Sequence, residues 1–351
     1  MSSTDGNNIK IHNKLFRIDI FNSEGRPVAK LSPDQKRRVK DFNERILKGA
    51  IQFKYNKCLC GYNEFDLLAG KDSYSFLQST VICRRCGLIM SNPSMTDDSY
   101  AEFYKDDTYR MCYEGDDFLK ASLFRYDEGY GSQIFSEVNK LKVIDATTSC
   151  LEIGAGGGWN LVPFMKAGAH VLGLDYSRGL VQLGCEKGIN MKQGSIEDIN
   201  ESFDVIVLNH ALEHFSDPFG ALTKISAHLK KDGFIYAAVP NINNYSLGQL
   251  QNAHVFYFNP DTFKYFCLQN SFKILAFGSV HDIHMFGILR LSENVENTVS
   301  LKDNYKSTMK IVHRMTLRHY MAYLMTPVLK RLHIYNAARL IYKFVKGRVL
   351  K

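Results

Sequence analysis

From residue 146 to 277 the chain alternates short apolar runs with longer spans of helical character. The runs CLEIGA (150–155), AHVLGLD (169–175), FDVIVLN (203–209) and GFIYAAVP (233–240) are too short for buried helices and carry strand-forming residues. Their spacing predicts a parallel sheet covered by helices. The pattern upstream is different. Residues 1–50 are polar and mixed, with a helix predicted over QKRRVKDFNERIL; Ser32-Pro33-Asp34 starts it, and the oxygen of Ser32 or Asp34 caps free N–H groups. Residues 51–92 hold paired cysteines. Residues 93–145 are acidic and aromatic (DDSYAEFYKDDTYRMCYEGDDF) and then helical over QIFSEVNKLKVI, as a linker or cap. After 277, residues 278–351 form an extension in which apolar and basic positions alternate at near-helical spacing: HRMTLRHYMAYLM, then Pro327, then VLKRLHIYNAARLIYKFVKGRVLK. Pro327 is expected to break or start a helix there.

Charge sharpens this division. The net charge is +8, yet all eleven charged residues from Asn304 onward are Lys or Arg, which leaves −3 for the first 303 residues. A mildly acidic body with a basic tail is not built to coat nucleic acid. The polar start MSSTDGNNIK lacks a signal-peptide core, and no run approaches the ~20 apolar residues of a spanning helix, so the cytoplasm is the expected compartment.

Candidate chemistry gathers at the ends of the predicted strands. CLEI, with Glu152, runs into Gly154-Ala155-Gly156-Gly157-Gly158, a turn where a ligand can approach the backbone at a helix N-terminus. A dinucleotide fingerprint wants glycine where Trp159 stands, which argues against NAD. The second strand ends in Asp175, 21 residues after Gly154 and followed by Tyr176, placed to accept both hydroxyls of a ribose. Ser195 and Ile196 precede the next strand, where they can frame an adenine. The fourth element ends in Asn209-His210, with Glu213-His214 expected on the first turn of the following helix.

In this order the motifs resemble a class I S-adenosylmethionine-dependent methyltransferase over about 130 residues. The resemblance implies an α/β fold: a Rossmann-like core at 146–277, a small N-terminal zinc-ribbon-like module and a helical basic C-terminal extension. It also implies that the glycine loop (with Glu152, Gly154, Ala155, Gly156 and Gly158) lies against the methionine part of the cofactor. Asp175 would hold the ribose, Tyr176 would belong to the same cofactor site, Ser195 and Ile196 would border the adenine, and Asn209-His210 the sulfonium. Because the sulfonium is already activated, the protein has only to position the acceptor and, for a hydroxyl, supply a base. Candidate bases are His254, His210 and His214. His254 leads, because QNAHVFYFNPDTFKYFCLQNSFKI resembles the family's segment after strand five, and also the Glu-His site of deoxysugar C-methyltransferases, although Ala253 stands where that site has glutamate. Asn209-His210-Ala211-Leu212 lacks the Asn/Asp-Pro-Pro-aromatic run typical of enzymes that methylate base amines.

Cys58-x-Cys60 and Cys83-x-x-Cys86, each followed by glycine, have the composition of a tetrahedral structural zinc site. The module resembles the zinc-binding piece of sugar methyltransferases, whose usual continuation is close to CGLIMSNP and SYAEFY; the C-x-C pair is tighter than the normal C-x-x-C. A sugar or surface-glycan acceptor is therefore expected. The 74 residues after 277 are too few for the second domain of C-methyltransferases, which favours O-methylation over C-methylation. An RNA methyltransferase is the alternative, disfavoured by the acidic body. The basic tail can dock on the chain's own domain, on a second subunit as a homodimer, or on the inner face of an anionic membrane.

Overall fold

The structure is a computed structural model that describes residues 9–12, 28–104, 107–127, 129, 131–246, 249–280 and 283–331. Among them the strands, in chain order, are β1 Lys10–His12, β2 Phe53–Lys54, β3 Glu64–Ala69, β4 Thr80–Cys83, β5 Ile89–Ser91, β6 Ser94–Met95, β7 Ser149–Ile153, β8 His170–Asp175, β9 Met191–Gln193, β10 Phe203–Asn209, β11 Leu229–Pro240, β12 Phe256–Tyr257, β13 Phe272–Val280 and β14 His284–Leu291.

Seven of these form the core sheet, in the order β13-β14-β11-β10-β7-β8-β9. β7 to β11 are parallel, while β14 runs antiparallel to both β11 and β13. Alternate residues of each central strand join different cores: Leu151, Ile206, Leu208 and Val239 face one way, and Cys150, Val205, Val207 and Tyr236 the other. Burial on both faces explains why these strands read as continuous apolar runs rather than as an alternation. The chain steps outward from β7 through β8 to β9 and returns on the other side at β10. The carboxyl ends of β7 and β10 therefore diverge and open a crevice at the switch point. β14 lies inside this sheet, so the sheet itself extends to Leu291.

Local signals at helix starts were reliable. The helix Pro33–Leu47 begins at Ser32, whose hydroxyl accepts from Gln35 N–H while the Gln35 side chain returns to Ser32 N–H. It buries Val39 and Phe42, the latter against Phe76 and Phe103. Helix lengths were less legible. The span expected at 133–144 is helical over Ser132–Asn139, and the span from Trp159 is a 3₁₀ turn, Trp159–Leu161, followed by a short helix, Val162–Lys166.

The second sheet has the order β1-β3-β4-β5-β12. β1 comes from residues before the cysteine segment and β12 from inside the core sequence, so the module is wider than 51–92 and shares a strand with the loop that follows β11. The helix Asn304–Arg331 lies across it. Val312 and Met315 pack with Leu68, Ile82, Ile242 and Tyr257, while Leu317, Met321 and Met325 remain exposed. This helix continues through position 327, contrary to the expected break. Proline there forfeits a single backbone hydrogen bond, and only one turn follows before the described helix ends. The basic stretch beyond Arg331 lies outside the described residues. No helix among the described residues is long and apolar enough to cross a membrane.

Candidate active site

A cavity of about 800 Å³ opens at the carboxyl ends of the parallel strands. Gly154, Ala155 and Gly156 follow β7 and line one wall. Asp175 and Tyr176 follow at the end of β8, Ser195 and Ile196 after β9, and Asn209 with His210 at the end of β10. Two residues expected here do not line it. Glu152 is fully buried behind the loop, where it accepts a hydrogen bond of 2.7 Å from Asn160 Nδ2. Burial pushes its carboxyl up to about 8; Asn160 opposes the shift and the charge of Asp175 adds to it. Gly158 has φ +77°, and a Cβ on it would come within 2.8 Å of Met191 Sδ, so its part is to let the loop close on β9.

Asp175 is held in place by its neighbours. Gly156 N–H donates to Oδ2 (2.7 Å) and Ser177 N–H to Oδ1 (2.8 Å), with Arg110 Nη2 3.9 Å from Oδ2. Burial raises its pKa, while Arg110 and the two amides oppose the rise. Each oxygen keeps a lone pair for a further donor.

The rest of the lining is aromatic and imidazole-rich: Tyr100, Tyr104, Tyr109, Tyr245, His214, His254 and His284. Glu213 and His214 belong to a separate 3₁₀ turn, Leu212–His214, and not to the helix Pro218–Ser226. Glu213 is fully buried, 3.3 Å from His210 Nδ1 and 4.0 Å from His254 Nε2. Burial alone would raise its pKa, but the hydrogen bond from His210 and the nearby histidines hold it at about 2.

The histidines differ in which nitrogen is free. His214 Nδ1 lies 3.0 Å from the Ala253 carbonyl and 2.9 Å from Tyr104 Oη. A carbonyl only accepts, so the proton sits on Nδ1 and Nε2 keeps its lone pair. His254 Nε2 accepts from the Gln251 amide at 2.7 Å, which puts its proton on Nδ1, buried and without a partner. Burial lowers both: His214 falls below its ordinary value, and His254, with His214 beside it, falls to about 3. Both imidazoles are neutral at neutral pH. His210, at φ +57°, packs its ring 4.1 Å from that of His284.

A family model described as a methyltransferase domain matches residues 126–276. The uncharacterized methyltransferase YcgJ of Bacillus subtilis is 30% identical over 117 residues, covering 29% of this chain and 46% of that protein. The ubiquinone biosynthesis O-methyltransferase of Nitrobacter winogradskyi is 33% identical over 108 residues, covering 28% and 41%. The chain thus spans less than half the length of these relatives. Among solved structures, the 1,6-didemethyltoxoflavin-N1-methyltransferase of Burkholderia thailandensis is 14% identical, covering 62% of this chain and 96% of that one, with a TM-score of 0.46. Residues 126–276 match a methyltransferase domain, which supports a class I S-adenosylmethionine-dependent reading.

The residues present suit that cofactor. The cavity has the size of a small-molecule site, a side-chain-poor loop forms one wall, and a carboxylate with spare lone pairs stands one strand away. Sequence reading missed Arg110, Asn160, Tyr104, Tyr109 and His284 as cavity residues. Arg110 and the tyrosines sit in the acidic, aromatic stretch before the methyltransferase core, which has no recognisable spacing; β14, which carries His284, was placed outside the core.

Two further donor sets deserve a metal chemist's eye. Cys58, Cys60, Cys83 and Cys86 hold their Sγ atoms within 4.8 Å of one another, with Cys58–Cys86 at 3.4 Å and Cys60–Cys83 at 3.7 Å. Tetrahedral zinc–thiolate bonds of about 2.3 Å set sulfurs about 3.8 Å apart, so the four fit a zinc ion. Gly87, after the second knuckle, has φ +70° and lies so close to the Asn304 backbone that a Cβ would come within 2.7 Å of it. Glu213, His214 and His254 also bring donor atoms within 4.8 Å of one another, at the back of the acceptor wall.

Proposed function

We propose that this methyltransferase methylates a hydroxyl of a sugar or glycan, with His214 receiving the proton. The observation that carries the reading is the hydrogen bonding of His214: Nδ1 is committed to the Ala253 carbonyl, which leaves a neutral imidazole with its Nε2 lone pair free on the acceptor wall. His254, the leading candidate by sequence, moves to a supporting place because Gln251 occupies its Nε2. When bound, S-adenosylmethionine supplies an activated methyl group. Asp175 is proposed to take its ribose, Tyr176, Ser195 and Ile196 its adenine, and Gly154 to Gly156 with Asn209 and His210 its methionine end. The acceptor hydroxyl is then placed at His214 Nε2, on the ring edge away from Tyr104 and Ala253, and the tyrosine-rich lining keeps water away.

Zinc on Cys58, Cys60, Cys83 and Cys86 belongs to the same proposal as a structural ion, since all four positions would be protein thiolates. A phenolic acceptor is the second reading. The ring wall of Tyr100, Tyr104, Tyr109 and Tyr245 suits an aromatic group, and several relatives are named as ubiquinone biosynthesis O-methyltransferases. Incubation with methyl-labelled S-adenosylmethionine and separate pools of nucleotide sugars, lipid-linked glycans, phenols and unmodified ribosomal RNA tests both. Label in the sugar or glycan pools is the expected result; label in phenols alone moves the assignment to the second reading, and label in RNA alone overturns both.

A further inference from the structure

The loop that builds the acceptor wall is gripped by the cysteine module through one buried carboxylate. Asp72, only 2% exposed, follows β3 in the module. Its Oδ1 accepts from the N–H groups of Tyr74 (2.9 Å) and Phe76 (2.8 Å), which shape its own turn. Its Oδ2 reaches across to the core, where it accepts from Asn252 N–H (2.8 Å) and from Tyr113 Oη (3.3 Å). The single proton of the Tyr113 hydroxyl is shared between Asp72 Oδ2 and the nearer Asn252 side-chain carbonyl.

Other bonds tether the same loop on both sides of Asn252. Ser73 N–H donates to the Leu250 carbonyl (2.9 Å), Ser91 Oγ to the His254 carbonyl (3.1 Å), and Ser91 N–H to the Val255 carbonyl (2.8 Å). Asn252 is joined by one peptide bond to Ala253, whose carbonyl decides which nitrogen of His214 is protonated. A buried carboxylate costs stability, and burial pushes this one up to about 7. Three of its four donors lie outside the acceptor loop and could be satisfied by an ordinary turn or by water; the fourth, Asn252 N–H, ties that loop to the module.

We infer that Asp72 is a positioning residue for methyl transfer: through Asn252 it fixes the Ala253 carbonyl on His214 Nδ1 and so keeps the Nε2 lone pair directed to the acceptor. Its link to catalysis rests on the reading of His214 above; its link to the His214 tautomer does not.

The test uses the full chain with ¹⁵N-labelled histidine, the His214 signals being assigned by their loss in His214→Gln. The wild-type protein should show His214 protonated on Nδ1. In Asp72→Asn, an amide replaces the acceptor, and the His214 nitrogen shifts should move toward a mixture of tautomers. Affinity for S-adenosylhomocysteine, measured by calorimetry, should change less than about twofold, because the two sites share no partner. Unmoved His214 signals overturn the inference. If Asp72→Asn lacks a cooperative melt, Tyr113→Phe removes the hydroxyl that bridges Asp72 and Asn252; a smaller displacement of the same signals supports the inference and none overturns it. Should His214→Gln prove fully active, the proposed base falls while the tautomer result stands.

Discussion

The two halves of the cavity are made by different means. On the cofactor side, hydrogen bonds that hold the shape are short-range in sequence: Gly156 to Asp175 spans 19 residues and Ser177 to Asp175 spans two. On the acceptor side, Tyr104 meets His214 across 110 residues, Ala253 meets His214 across 39, and Asp72 meets Asn252 across 180. The first half follows from successive strands of one parallel sheet ending side by side. The second exists only because a separate, mostly antiparallel sheet takes β12 from the core as its own edge strand. A site can thus combine a wall set by local chain order with one set by docking, and the two should fail separately.

Removing the proposed zinc ligands is the harshest way to separate them. Structural zinc bound by four thiolates contributes on the order of 10 kcal/mol to folding of its module. Cys83→Ala should therefore yield protein without zinc by elemental analysis and with a lost or strongly lowered melting transition of the module. S-Adenosylhomocysteine should still bind wherever the core survives. A zinc-free protein with the wild-type melting curve would remove the metal from the account.

On the cofactor side, Glu152→Gln probes a buried charge. The folded carboxyl titrates near 8 against about 4.5 for a free glutamate, so its contribution to stability is complete below about pH 4.5 and is lost as pH rises through 8. The linkage is on the order of 5 kcal/mol at the alkaline end. The glutamine variant should match the wild type near pH 4.5 and melt higher at pH 8; parallel curves across that range would show that Glu152 is not a titrating buried group.

Three substitutions then divide function. His214→Gln should lower turnover about a hundredfold or more with cofactor affinity intact, as expected for loss of a base. His254→Ala should have a smaller effect in the same steady-state assay, and the reverse ranking would restore His254 as the base. Asp175→Ala should weaken S-adenosylmethionine by about 10- to 100-fold, the effect of losing one or two hydrogen bonds to a charged group. Unchanged affinity by calorimetry would detach the ribose from Asp175.

How far these features could be read in advance tracks the same division. Asp175 and the glycine loop stand out because their chemistry is in the side chain, or in its absence, at a spacing imposed by strand–loop–helix units. Arg110 and Tyr104 could not be placed, since nothing in an acidic, tyrosine-rich stretch marks which rings turn inward. Ala253 is the clearest case. It looked like the loss of a glutamate, yet its backbone carbonyl sets the His214 tautomer. Backbone acceptors are the same in every residue, so sequence has no letter for them.

Sheet membership has a similar origin: β14 joins the core sheet through its pairing with β11 and β13, which only the tertiary structure reveals. By itself, then, the sequence determined the parallel sheet, the order of the strand ends that line the cavity and the two cysteine pairs, because those follow from apolar burial and side-chain chemistry over short spans. Tertiary structure alone decided the acceptor wall and the hold that Asp72 has on it, because those depend on strand pairing and backbone hydrogen bonds between segments far apart in the chain.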